Sequence, residues 1–259
     1  MKIPLYHIDA FTGRVFAGNP AAVCPLVAWL DDATLQSIAA ENNLSETAFL
    51  VGGAGEYEIR WLTPETEVDL CGHATLASGW VIMNAIEPKR NEVVFRSKSG
   101  PLRVTRDGDL LVLDFPSRPP VAAPVAEELA AALGRRPRET GKARDTLAVY
   151  ETEDEVRALK PDMGRLAALD GFAVIVTAPG READFVSRFF APRQGIPEDP
   201  VTGSAHCTLV PYWAKRLGRK QLRALQVSRR GGELFCEDRG DRVRIAGRAA
   251  KYLEGAIEI

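Results

Sequence analysis

The chain has 259 residues, 46% of them hydrophobic and 26% charged, with 33 basic against 35 acidic side chains and a formal net charge of −2. This is the make-up of a soluble globular protein with one large domain or two of ordinary size. It has no basic block, no apolar run of bilayer length and no signal-like apolar core after Met1. Nucleic acid and membrane are therefore not expected as partners, and the cytoplasm is the expected location.

In chain order, LYHIDAF and AAVCPLV read as strands. DDATLQSIAAENN reads as a helix capped by Asp31 or Asp32, with Leu35, Ile38 and Ala39 on one face. ETAFLV and YEIRWL are the next strands. TPETEVDLCG is a loop leading into a helix, HATLASGWVIMNA. EVVFRS, LRVTR and LLVLDF close the half, with Asp107-Gly108 turning between the last two. PSRPPVAAP, with four prolines in nine residues, predicts an extended connector. The boundary falls there, giving an N-terminal lobe over 1–116 and a C-terminal lobe over 117–259, with 251–259 able to join either.

The second half repeats the order. RLAALD is helix-like and precedes the strands FAVIVT and DFVSRFF. The loop APRQGIPEDPVTG enters an apolar helix, SAHCTLVPYWAKRLG, and LRALQVS, ELFCE, RVRIA and KYLEGAIEI follow as strands. The two loop-to-helix joints align, Pro64 with Pro192 and Gly72 with Gly203, which points to internal duplication. Several strands around one very apolar helix, without strict strand–helix alternation, predict an α+β fold: two similar lobes, each a curved mixed sheet or barrel wrapped on a central apolar helix.

Each joint combines features that suit an anion. A helix N-terminus exposes unpaired N–H groups and the positive end of the dipole. Gly72 and Gly203 let a ligand approach the backbone. Thr202 or Ser204 either caps the helix or donates a hydroxyl. Two such joints across a cleft would form one polar pocket; simple capping is the alternative. Asp199, held between Pro197 and Pro200, is either a fixed carboxylate or a turn residue, and Glu198 points elsewhere. His73, in the first turn of a helix where the dipole opposes its protonation, is either a neutral imidazole that donates or accepts a proton or a satisfied, partly buried histidine. Glu46 is either an edge or turn carboxylate or enters a buried strand, where desolvation would raise a carboxylate toward neutrality and suit it to acid/base work.

The four cysteines, at 24, 71, 207 and 236, are expected to be free thiols. Cys71 at a helix N-terminus is expected to have a lowered pKa and a reactive thiolate; the others are expected to be buried. His7, His73 and His206 show no zinc-ligand spacing, so no metal site is expected.

Four stretches together, FAGNPAAV (16–23), NNLSETAFL (42–50), DLCGHATLA (69–77) and GIPEDPVTGSAH (195–206), resemble the PhzF-like (phenazine biosynthesis-like) proteins of the diaminopimelate epimerase-like fold. The resemblance covers essentially the whole chain. It implies a site between two lobes, cofactor-independent proton transfer on a small carboxylate-bearing substrate, and a homodimer. By position, Glu46 matches the catalytic acid/base, with His73 and Asp199 as its partners. Asn19, Ser45, Gly72, Gly203 and Ser204 match substrate-binding positions. In related epimerases two cysteines exchange the proton. Cys71 matches the first, and Asp199 stands at the second. The phenazine-pathway member has glycine at the place of Cys71, so its substrate is not carried over.

Three functions follow as expectations: an isomerase using Glu46, a racemase or epimerase using Cys71, or a small-molecule-binding or interaction protein that keeps the fold without turnover.

Overall fold

A computed structural model describes all 259 residues, Met1–Ile259. The chain divides into two compact units, Met1–Asp114 with Ala246–Ile259, and Phe115–Ile245. No helix is long and apolar enough to cross a membrane.

The N-terminal unit opens with the hairpin β1 (Lys2–Ala10) and β2 (Asn19–Leu26). Its turn needs Gly18, whose φ is +66° and whose added Cβ would meet the Ala10 carbonyl oxygen at 2.1 Å. Helix α1 (Asp32–Asn42) is capped by Asp31, which accepts from the Thr34 N–H, and it crosses to β3 (Glu46–Gly53), parallel to β2. Leu35, Ile38 and Ala39 of α1 pack on the outer face of the sheet against Cys24, Phe49 and Leu62. β4 (Glu56–Leu62) runs antiparallel to β3, and a two-residue strand, β5 (Glu67–Val68), pairs with it. Next comes α2 (Gly72–Val81), which ends in a wider π turn over Ile82–Ile86. β6 (Glu92–Ser97) lies parallel to β4, and β7 (Gly100–Asp107) and β8 (Leu110–Pro116) form a meander from it.

Helix α2 is the core of this unit, with eight of its ten residues buried. Its two buried hydroxyls are satisfied within the helix: Thr75 donates to the Cys71 carbonyl at 2.5 Å and Ser78 to that of Ala74 at 2.7 Å. Gly79 is there for closeness. A Cβ on it would stand 2.7 Å from Val104 Cγ1 of β7.

The C-terminal unit repeats this plan. β9 (Val121–Ala123) pairs with β10 (Glu139–Lys142), and β10 with β11 (Thr146–Val149). Thus the proline-rich connector contains a short strand and is not wholly a spacer. Between β9 and β10 lies α3 (Glu127–Leu133). Helices α4 (Glu153–Ala158) and α5 (Met163–Ala168) cross from β11 to the parallel strand β12 (Val174–Pro179). β13 (Phe185–Ala191) is antiparallel to β12, and β14 (Ile196–Asp199) pairs with β13. Helix α6 (Gly203–Leu217) then crosses to β15 (Gln221–Gln226), parallel to β13. β16 (Gly232–Asp238) and β17 (Arg242–Gly247) follow.

β12 is apolar along its length because both faces are covered. Val174, Val176 and Ala178 meet α3–α5 through Leu129, Leu133, Val156 and Leu166. On the opposite face Thr177 Oγ1 accepts from Trp213 Nε1 of α6 at 3.0 Å. Each fully buried side chain of this kind contributes about 1.5–3 kcal/mol. Pro211 inside α6 has no N–H to give, and the Cys207 carbonyl it leaves open accepts from the Arg118 N–H at 2.9 Å.

The repeat is more complete than the two joints suggested. β2-α1-β3 matches β11-α4-α5-β12, and β4-β5-α2-β6 matches β13-β14-α6-β15. The last strand, β18 (Ala249–Glu258), pairs antiparallel with β1, as β9 does with β10.

Candidate active site

In the N-terminal unit, three elements bring the candidate residues together. β2 begins at Asn19, β3 begins at Glu46, and α2 follows its N-cap Cys71. Parallel pairing sets Ala21 opposite Glu46, so both strands start at the same end of the sheet. Glu46 is 7% exposed, His73 5%, Cys71 6% and Asn19 fully buried.

His73 lies at the centre. Its Nε2 is 3.1 Å from Glu46 Oε2. Its Nδ1 is 3.1 Å from Asn19 Nδ2 and 3.5 Å from Cys71 Sγ. The Glu46–His73 contact is an ion pair without hydrogen-bond geometry, and neither Oε2 nor Nε2 has a hydrogen-bond partner in the protein. Two buried polar atoms with unspent capacity cost about 1–3 kcal/mol each unless something else meets them.

Burial alone favours a neutral imidazole. The charges of Cys71 and Glu46 override it, and His73 stands well above the ordinary histidine pKa. Burial pushes the Cys71 thiol up to about 11, and the Glu46 charge adds to this. A thiol that keeps its proton at neutral pH carries no charge, so Glu46 is the group that holds His73 protonated. Two expectations are corrected here. His73 is not kept neutral by the helix dipole, because a carboxylate at 3.1 Å outweighs it. Cys71 is not a low-pKa thiolate, because burial outweighs the helix terminus.

Asn19 serves either charge state of the ring. In the structure its Nδ2 faces Nδ1 while its Oδ1 accepts from Ser45 Oγ at 3.4 Å, which suits an imidazole with its proton on Nε2. With Nδ1 also protonated, the amide turned over presents its oxygen instead.

One ligand atom each from Glu46, Cys71 and His73 lies within 4.8 Å of the others, closer than their spacing in the sequence implied. Glu46 faces Nε2 and Cys71 faces Nδ1, however. One cation cannot take all three while the ring stands this way, because the two nitrogens point to opposite edges. The arrangement is a chain of proton-bearing groups.

In the C-terminal unit, Asp199 ends β14, paired opposite Phe189, and is 8% exposed. Glu198 turns away into a two-pronged pair with Arg188 at 2.8 and 3.0 Å. Thr202 occupies the N-cap of α6 but makes no side-chain cap; its hydroxyl donates to Asp199 Oδ2. Cys71 likewise makes no side-chain cap on α2. Both buried helices therefore begin without a side chain on their first N–H groups. Ser204 Oγ accepts from Arg144 Nη2 at 3.2 Å. Arg144 is itself held by the buried Asp145 at 3.1 Å and lies over the Phe172 ring, 4.4 Å from its centre.

Cys24, Cys207 and Cys236 are free, buried and pushed up by burial. His206 is wholly buried, and burial lowers it to about 4. Its ring is thus neutral, and Nδ1–H donates to the Thr202 carbonyl at 2.8 Å.

Arg144, Asp145 and Gln226 were not among the residues expected at the site. Gln226 had one visible mark, a polar residue on the inward beat of LRALQ after Leu222 and Ala224. Arg144 and Asp145 lie in a stretch without a strong pattern.

Mixed sheets built twice over on a buried helix make the diaminopimelate epimerase-like fold. A hydroxyproline epimerase structure from Agrobacterium vitis shares the fold at a TM-score of 0.63 over 99% of this chain and 92% of that one, at 11% identity. Residues 8–255 match the family described as phenazine biosynthesis-like protein (PhzC-PhzF), and the chain belongs to it. An Enterococcus faecalis PhzF-family crystal structure superposes with a TM-score of 0.98 at 49% identity, covering both chains fully. A Pseudomonas aeruginosa protein named as an uncharacterized isomerase is 50% identical over 259 residues, again across both chains.

Proposed function

We propose that this protein is an isomerase that moves a proton between carbons of a small carboxylic acid, with Glu46 as general acid/base. The observation that carries the reading is the buried Glu46–His73 pair, whose facing atoms have no hydrogen-bond partner in the protein. Groups left so are suited to receive a substrate's proton. Relatives named as isomerases support the reaction class.

In this reading Glu46 takes a proton from a carbon beside a C=C bond, the C–H electron pair forms a new π bond to the neighbouring carbon, and the pair of the old double bond takes the proton back from Glu46 at the far carbon. His73, held protonated, stabilises the carboxylate form of Glu46 and supplies or accepts a proton through Nε2. The uncapped first turn of α2, at Gly72, receives the substrate's carboxylate. In the C-terminal unit Asp199 is the candidate proton-handling acid, and Gly203 and Ser204 are the candidate anion-binding positions. Ser45 orients Asn19, and Asn19 orients His73.

The test is proton exchange in D2O, followed by NMR, with methylitaconate as first probe of transfer between carbons, and with proline and trans-4-hydroxy-L-proline as probes of exchange at a single carbon, the epimerase outcome. General acid–base help is worth about 10²–10⁴-fold, so Glu46→Gln lowers exchange by at least that much while ligand-induced thermal shifts persist. Full exchange in Glu46→Gln overturns the assignment. The Cys71 Sγ–His73 Nδ1 contact favours one second reading, an epimerase using Cys71. It is selected when exchange is lost in Cys71→Ser and kept in Glu46→Gln.

A further inference from the structure

Strand β18 leaves one long edge open. Its backbone pairs with β1 alone, and Lys251–Ala256 and Glu258 are exposed. Folded proteins shorten, charge or cover such edges, because an open edge pairs with any extended chain that reaches it. A bulge at Tyr252 interrupts the first half, where His7 pairs with Leu253 and Ile8 with Lys251. From Leu253 to Glu258 the pairing with β1 is regular.

The two faces of β18 differ. Leu253, Gly255 and Ile257 stand opposite His7, Leu5 and Ile3. Ile3, Leu5 and Ile257 pack with α1, so these residues share the α1 face. Through the bulge Tyr252 joins them: its ring packs edge-on against His7 and against Phe16, which is 72% exposed. Tyr252 is 51% and Leu253 41% exposed, an unusual apolar cluster on an open edge. Beside it a groove of about 650 Å³ lies between α1 and Ile257, lined by Thr34, Ser37, Ile38 and Glu41. Glu254, Ala256 and Glu258 share the opposite face, where Glu254 pairs with Lys251.

This pattern suits a second copy of the same strand in one register. Two copies related by a two-fold axis pair antiparallel, with one residue facing itself. Pairing about Leu253 meets the bulge on both sides of the axis. Pairing about Glu254 sets that acid against itself, and pairing about Ala256 sets Glu254 against Glu258 of the second copy. Like charges directly opposite are destabilising. Pairing about Ile257 leaves the exposed Tyr252 and Leu253 outside. Pairing about Gly255 has none of these faults. It sets Leu253 against Ile257 twice on the α1 face, beside the groove, and Glu254 against Ala256 twice on the other.

We propose that β18 is a dimerisation strand, pairing antiparallel with β18 of a second copy about a two-fold axis at Gly255. The sheets of the two N-terminal units then run on into each other, and the open edge is closed. The proposal is independent of the reaction assigned to the site.

The test reads mass, then register. Sedimentation of the full chain is expected to give twice 28.2 kDa, and a monomer throughout the micromolar range overturns the proposal. Mild oxidation of single-cysteine variants locates the axis against a silent background, because the four native cysteines are buried. Gly255→Cys, where an added Cβ meets nothing closer than Leu253 Cδ2 at 3.8 Å, is expected to give a disulfide-linked dimer. Leu253→Cys and Ile257→Cys give none alone, each standing about 14 Å from its own copy, but link to each other when mixed. A Gly255→Cys protein that does not link, or a Leu253→Cys protein that links to itself, overturns the proposal. Charge supplies a second reading. Ala256→Lys meets Glu254 of the second copy and tightens the dimer, whereas Ala256→Glu loosens it, each by about 2- to 30-fold in Kd because the contact is made twice. Equal effects of the two overturn the proposal. Should the variants not fold, hydrogen exchange on the unsubstituted protein decides: the Leu253–Glu258 amides that point away from β1 are expected to be protected, and their free exchange overturns the proposal.

Discussion

His206 makes the protein acid-sensitive, and the size of the effect follows from its burial. The ring is wholly inside, with a folded pKa of about 4 against an ordinary 6.5. Between those values the unfolded chain binds a proton that the folded chain refuses, so stability rises with pH. The contribution is fully present above about pH 6.5 and is lost as pH falls toward 4. A gap of about 2.5 units at 1.36 kcal/mol each gives about 3 kcal/mol in all, of which about 2 is lost by pH 4.5. His206→Asn keeps a donor for the Thr202 carbonyl and removes the titration. The assay is urea unfolding from pH 7.5 to 4.5 on both proteins. Other groups titrate equally in the two and cancel, as does any fixed packing cost. Wild type is expected to lose about 2 kcal/mol more than His206→Asn over that range. Parallel curves would refute the reasoning, because they would mean His206 is protonated in the folded state or already reached by water.

The remaining predictions are shorter. Cys71, buried and pushed up to about 11, is expected to resist iodoacetamide at pH 8 in the native state and to react fully in urea; stoichiometric native labelling within minutes contradicts this. Gly79→Ala sets a Cβ 2.7 Å from Val104 Cγ1 and is expected to cost about 1–3 kcal/mol in urea unfolding. Val104→Ala added to it recovers part of that loss, and a stabilised Gly79→Ala would show that α2 has room to shift. His73, raised by Glu46, contributes stability that is complete below pH 6.5 and is lost as pH rises through its higher folded value. His73→Gln is therefore expected to flatten the alkaline limb of the stability profile; an unchanged limb would place His73 outside the pair.

Much of the fold was legible because its signals are local. The cap at Asp31, the Asp107-Gly108 turn and the apolar runs of α2 and α6 each depend on residues a few positions apart. The same was true of the joints at Cys71-Gly72-His73 and Thr202-Gly203-Ser204. The charge states were not legible. A dipole argument that looks only along the helix made His73 neutral, whereas the neutral ring is His206 and the charged one is His73. Glu46, twenty-seven positions away in the chain, makes that difference.

The residue order by itself determined the α+β class, the duplicated course of the chain and the short set of polar residues able to do chemistry. Each of these follows from periodicity, turn chemistry and spacing, which are properties of neighbours. Only the tertiary structure decided which of those residues meet. Parallel pairing of β2 with β3 sets Asn19 and Glu46 at the same sheet end as His73, burial keeps the Cys71 thiol protonated, and the end of β15 delivers Gln226 to the Asp199 loop. Proton affinity and hydrogen-bond direction depend on distance and solvent exclusion, and those quantities exist only once the chain has closed on itself.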